Sequence, residues 1–179
     1  AAELIKALME LLPGTMGVVR PTFEEYPNRR DKDSLVTFIP QNNEFRYSAQ
    51  DLMDFFGKNH ADNLLLINPD NPSGNFIPMQ DVLSLAQWCK EQGIRLIVDE
   101  SFVDFSVGWE ENTLLHDNIL EQYPSMLVMK SISKSYGVPG IRLGILCSAD
   151  VDIISRIKKM VSIWNLNSFC EFFMQIYTK

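Results

Sequence analysis

Histidine and cysteine are scarce in this chain, with two and three copies in 179 residues. His60 and His116 stand far apart in polar stretches, so a histidine-based zinc site or a Ser-His-Asp triad has too little material to work with. Cys89, Cys147 and Cys170 are odd in number, widely spaced and free of any C-x-x-C pair. That excludes a disulfide framework and reads as three buried thiols in a reducing compartment. Positive charge is short as well: 16 Lys and Arg against 23 Asp and Glu leave a net charge of -7. A nucleic-acid binder needs a basic face, so that class is excluded. There is no apolar run of about 18 residues and no basic-then-apolar leader, so neither a membrane span nor a signal peptide is expected and a cytoplasmic location follows by default.

What is present is the composition of a globular protein, 46% hydrophobic and 22% charged, at a length suited to one main domain. The opening "AAELIKALMELLPG" has Leu4, Ile5, Leu8, Leu11 and Leu12 at helical spacing and stops at Pro13-Gly14. "MGVVRP" and "SLVTFIP" read as short strands, and "SAQDLMDFFGKN" as a helix capped by Ser48 and ending near Gly57. Then one grammar repeats. "NLLLI" breaks into Asn68-Pro69; after a helix over about 79–92, "IRLIV" breaks into Asp99-Glu100; "SMLVM" breaks into Lys130-Ser131. Strands apolar at every position belong to a parallel sheet covered on both faces. "RLGILCSA" follows too soon for a crossover helix and is expected to run antiparallel. Helices over about 150–161 and 167–178 finish the chain. The expected fold is α/β: a three-layer sandwich, mostly parallel with one antiparallel strand, with helices on both faces.

Ligands of such sheets gather beyond the carboxyl ends of the strands. The residues there are Asn71 in "NPDNPSG", Asp99 in "IVDESF", and Ser131, Ser133, Lys134 and Arg142 in "SISKSYGVPGIRLG". Each alone has a plain reading: a surface lysine, a helix-capping aspartate, a double turn, an arginine paired with a carboxylate. Together they suit pyridoxal phosphate. Its aldehyde needs a lysine, its pyridine nitrogen an acid, its ring oxygen an amide donor, and its phosphate an arginine, hydroxyls and helix N-terminal amides. The placement of Arg142 between Ile141 and Leu143 predicts a head group committed to something inside.

In order and separation, "NPDNPSG", "DESF" and "SISKSYGVPGIRLG" resemble the signatures of fold-type I pyridoxal-phosphate enzymes of the class I/II aminotransferase superfamily, with "VVRPTFEEY" and the start "AAELI" adding to the likeness. The tone is nearest to histidinol-phosphate aminotransferases and threonine-phosphate decarboxylases. The resemblance implies the large-domain fold of pyridoxal-phosphate transferases and transamination of an amino acid or amino-phosphate substrate through a lysine Schiff base. It implies Lys134 as the Schiff-base residue, Asp99 as the partner of the pyridine nitrogen and Asn71 as the donor to the ring oxygen. Ser131 and Arg142 match phosphate ligands, with Ser133 a third. Phe23 matches the aromatic that stacks on the ring, although it also fits a local packing role. Ala1 and Ala2 match the end of a phosphate-binding turn.

Two departures stand out. Phe102 occupies a place usually held by tyrosine, as in some decarboxylase-like relatives, so decarboxylation is an alternative. The N-terminal arm and C-terminal small domain of such enzymes have no counterpart here, which implies a large-domain fragment: a cofactor domain over 1–163 and, over 164–179, the start of a helix leading to the small domain. A non-catalytic dimerisation module is a further reading. Trp164, Phe172 and Phe173 are expected to lack cover within the chain and to be buried in a homodimer. A nucleotide-binding α/β domain lacks its G-x-G-x-x-G or Walker A sequence.

Overall fold

The computed structural model describes residues 1–177. Among them a six-stranded sheet runs in the order β2-β1-β3-β4-β5-β6. Its strands are β1 (Met16–Val19), β2 (Leu35–Phe38), β3 (Asn63–Ile67), β4 (Arg95–Asp99), β5 (Leu127–Ser131) and β6 (Gly144–Cys147). Every pairing is parallel except β5 with β6, as the sequence predicts. Asp99 is in register with Ile67 on one side and Met129 on the other, so β3 and β4 end level and β5 runs two residues further, to Ser131, along the same edge.

Alternation along the strands divides the core in two. Leu64, Leu66, Leu96, Val98 and Val128 pack against Leu52 and Phe56 of α2 (Ala49–Phe56), Val82 and Leu85 of α3 (Met79–Gln92) and Ile119 of α5 (Asp117–Gln122). Leu65, Ile67, Ile97, Leu127 and Met129 face the other way, onto Ile5 and Leu8 of α1 (Ala2–Leu11) and Ile153 and Ile157 of α7 (Val151–Met160). Burial of each such side chain contributes about 1.5–3 kcal/mol, which is why the unbroken apolar runs sit here.

Helix ends follow local chemistry. Ser48 and Asp51 form a reciprocal capping box at the start of α2. Gly93, at φ 71°, closes α3 as Ile94 N–H reaches back to the Cys89 carbonyl at 2.8 Å, a turn in which only glycine avoids strain. Three short helices escape the periodicity reading because each is too brief to show a period: α4 (Trp109–Asn112), α5, and α6 (Ile132–Ser135) inside the expected β5–β6 loop. Glu100, 1% exposed, anchors the segment before α5 by accepting hydrogen bonds from Thr113 Oγ1 at 2.7 Å and the Leu114 N–H at 2.9 Å. Burial raises its pKa, an effect those bonds and Lys130 partly oppose.

Cys89 and Cys170 are buried, and burial pushes the Cys89 thiol up to about 12. Cys147 corrects the expectation of three buried thiols: on the edge strand β6 it is half-exposed. After α7, Ile163 and Trp164 are more than nine-tenths exposed, and α8 (Ser168–Ile176) exposes Phe169 and Phe172. Phe173 departs from the expected lack of cover, because Tyr177 stacks on it at 5.8 Å and Tyr136 meets its edge at 5.7 Å. Thr178 and Lys179, the end of the segment expected over 164–179, lie outside the described residues. Among the described residues no helix is long and apolar enough to cross a membrane.

Two outcomes follow for stability. A Cβ at Gly17 would lie 2.6 Å from Phe56 Cε1 and 3.1 Å from Leu64 Cδ1, so Gly17→Ala should lower stability by about 1–3 kcal/mol, read as a reduced urea midpoint. For Glu100, a raised pKa means that the folded protein keeps a proton the unfolded chain releases. Stability therefore falls as pH rises from the ordinary glutamate value of 4.5 through the raised one, by about 1.4 kcal/mol for each pH unit within that window. Glu100→Gln should remove that component of the slope in denaturation curves collected from acid to neutral pH.

Candidate functional site

The carboxyl ends of β3, β4 and β5 open into one pocket. All nine residues singled out from the sequence line it: Ala1, Ala2, Phe23, Asn71, Asp99, Ser131, Ser133, Lys134 and Arg142. Ile5, Ile67, Ser101, Phe102 and Pro139 complete the wall.

Asp99, the last residue of β4, is 5% exposed and its carboxylate is held from two sides. Tyr26 Oη donates to Oδ2 at 2.6 Å, and the Ser101 N–H donates to Oδ1 at 2.9 Å. A buried carboxylate without such donors would carry a large desolvation cost. Tyr26 is itself fully buried, and burial together with the adjacent Asp99 charge raises its pKa well above the usual phenol range, so it remains a donor. Ser101 also ties β4 to β5, its Oγ accepting from the Ser131 N–H at 2.9 Å. Sequence reading assigned no role to Tyr26 or Ser101. Tyr26 lies 73 positions from Asp99, and its only local signal is the "PTFEEY" segment it ends.

Asn71 is carried by a loop pinned at its base. The Asn68 side chain donates to the Ile77 carbonyl at 2.8 Å and accepts from the Ile77 N–H at 2.9 Å, while Asn75 Nδ2 donates to the Tyr47 carbonyl at 2.8 Å. Desolvation raises the pKa of Asp70 beside it. Phe23 shows both of its expected features: 42% exposed, it lines the pocket while its ring meets Tyr26 edge-on at 6.4 Å.

Lys134 sits in the single turn α6, exposed, with its Nζ 5.8 Å from the centre of the Phe102 ring, within cation–π range. Ser133 is buried and donates to the Leu143 carbonyl at 3.3 Å, so its hydroxyl closes the loop as well as lining the pocket. Ser131 is half-exposed on the wall. Arg142 departs from the expectation of an inward head group. It is exposed, bonded through Nη1 to the Pro139 carbonyl at 3.3 Å. Its backbone is left-handed, at φ 61°, a conformation that costs about 1–2 kcal/mol for a residue with a Cβ, and its side chain lines the pocket from the exposed rim. Pairing of Gly144 with Ser131 brings this rim beside the start of α1, whose unpaired N-terminal amides favour an anion.

The pocket lining thus combines a guanidinium, hydroxyls and a helix N-terminus, the chemistry of a phosphate site, with a primary amine, a doubly held carboxylate, an amide and an aromatic ring. This donor set fits pyridoxal phosphate.

The aminotransferase class I and II family description matches residues 1–175. An L-serine phosphate decarboxylase of Sulfurospirillum multivorans is 28% identical over 100% of this chain and 46% of its own length. A histidinol-phosphate aminotransferase of Leuconostoc citreum is 33% identical over 80% of this chain and 41% of its own. Among solved structures, a decarboxylase from Sulfurospirillum multivorans superposes with a TM-score of 0.83 at 28% identity, over 100% of this chain and 51% of that one. Four curated relatives matched over nearly the whole chain are longer, and it spans only 27–46% of their length. The chain belongs to the aminotransferase class I and II family, whose cofactor is pyridoxal phosphate.

Proposed function

We propose that this chain supplies the cofactor pocket of a pyridoxal-phosphate-dependent aminotransferase acting on an amino acid or amino-phosphate. One observation carries the reading: Asn71, Asp99, Lys134 and Arg142, from separate strand ends, line the same pocket. When bound, the cofactor supplies an electron-withdrawing ring that spreads negative charge developing at the substrate Cα.

The chain's own residues then have distinct tasks. Asp99, fixed by Tyr26 and Ser101, presents a carboxylate to the ring nitrogen and holds its proton there. Arg142, Ser131 and the amides at the start of α1 bind the phosphate dianion. Asn71 would donate to the ring oxygen, and Phe23 would offer an aromatic surface to the ring. Lys134 would hold the cofactor through its amine, and the same Nζ, when free, would move the substrate Cα proton. The exposed Ile163, Trp164 and Phe169 support burial of this end in an assembly, a homodimer in this reading.

Decarboxylation is the second reading. Phe102 favours it, since a phenyl ring at this wall offers no hydroxyl to the ring oxygen, and so does the likeness to the serine-phosphate decarboxylase.

Adding pyridoxal phosphate to the protein should produce a visible absorption band and, after borohydride, a stable adduct on Lys134. Lys134→Ala should abolish both and leave the melting temperature within about 1 °C, because the side chain is exposed. If wild type and Lys134→Ala absorb alike, the assignment fails. Arg142→Ala should weaken cofactor affinity about tenfold or more, the loss of a charge-assisted phosphate contact. The two reactions separate by product: with an amino-acid donor, transamination yields a 2-oxo acid and no carbon dioxide, and decarboxylation the reverse.

A further inference from the structure

The turn that carries Lys134 is four residues long, too short to hold its own conformation. Its first half is tied by the Ser131 N–H to Ser101, the Ile132 N–H to the Leu143 carbonyl at 3.2 Å, and the Ser133 carbonyl to the Val138 N–H at 3.1 Å. Its last residue, Ser135, is tied by a side chain from elsewhere. Ser135 Oγ donates to Asp104 Oδ2, and the other oxygen of the same carboxylate accepts from Lys130 Nζ at 2.7 Å. The Lys130 and Asp104 side chains are 10% and 16% exposed, so this pair is far less screened than a surface ion pair. One carboxylate therefore brackets Ser131–Lys134, gripping the residue before it and the residue after it.

The bracket has a second consequence. Lys130 and Lys134 are both primary amines, four positions apart. Alternation along β5 puts Lys130 on the face of Val128, opposite Met129 and Ser131, and Asp104 holds its ammonium there. Lys134 is the amine left on the pocket side.

We propose that Asp104 is a positioning residue that acts through Ser135 and Lys130: it fixes the direction of Lys134 and keeps Lys130 from taking its place. This rests on the cofactor reading above. The test is to bind pyridoxal phosphate to the protein, reduce with borohydride and map the modified lysine by mass spectrometry. The wild type should carry the adduct on Lys134 alone. Asp104→Asn should lower cofactor affinity about tenfold, the scale of losing a charge-assisted hydrogen bond, and should add label at Lys130. Ser135→Ala should lower affinity several-fold with the label still on Lys134, and Ser135→Thr, which keeps the hydroxyl, should restore it. A general loss of structure would instead spread label over many lysines, and Ser135→Thr would not rescue it.

Should Asp104→Asn fail to fold because Lys130 is left buried and unpaired, the Ser135→Ala and Ser135→Thr pair decides: equal affinity in the two overturns the proposal. Folded Asp104→Asn protein with wild-type affinity and label confined to Lys134 overturns it as well. A wild type that gives no adduct on Lys134 instead overturns the cofactor reading, and the proposal with it.

Discussion

Parallel pairing of β3, β4 and β5 in register is the constraint on which the rest of the molecule depends. Strands buried on both faces must be apolar throughout, so polar groups are expelled to their ends, and parallel strands place all those ends on one edge. Asn71, Asp99 and Ser131 are neighbours for that reason, although they are far apart in the chain. The antiparallel return of β6 adds the last component. Because Gly144 pairs with Ser131, the residues just before β6, Arg142 among them, come back to the same edge.

Charge at this edge survives burial only because it is answered. Asp99 is met by a phenol and a backbone amide, Glu100 by a hydroxyl and a backbone amide, and Asp104 by an ammonium and a hydroxyl. The three carboxylates lie within six residues of sequence yet serve different ends. Asp99 is aimed into the pocket, Glu100 away from it at the segment before α5, and Asp104 at the strand and turn that carry Lys134. Alternation at the end of β4 separates the first two, and the chain reversal that follows delivers the third to β5. A pocket built this way holds its polar groups in place before any ligand arrives, the condition for electrostatic work without reorganisation.

Local pattern determined a good deal of this protein. The apolar runs at 63–67, 94–98 and 125–129 specify buried strands, Ser48 and Gly57 mark the ends of a helix, and the order of Asn71, Asp99, Lys134 and Arg142 along the chain points to one edge. These features are legible because periodicity, capping and turn chemistry act between residues a few positions apart. Tertiary structure alone decided that Tyr26 clamps Asp99, that Asp104 joins Lys130 to Ser135, that Arg142 turns out to the rim and that Phe173 gains cover from Tyr136 and Tyr177. Each depends on where side chains of distant residues meet once the layers have packed, and a one-dimensional pattern carries no record of that meeting.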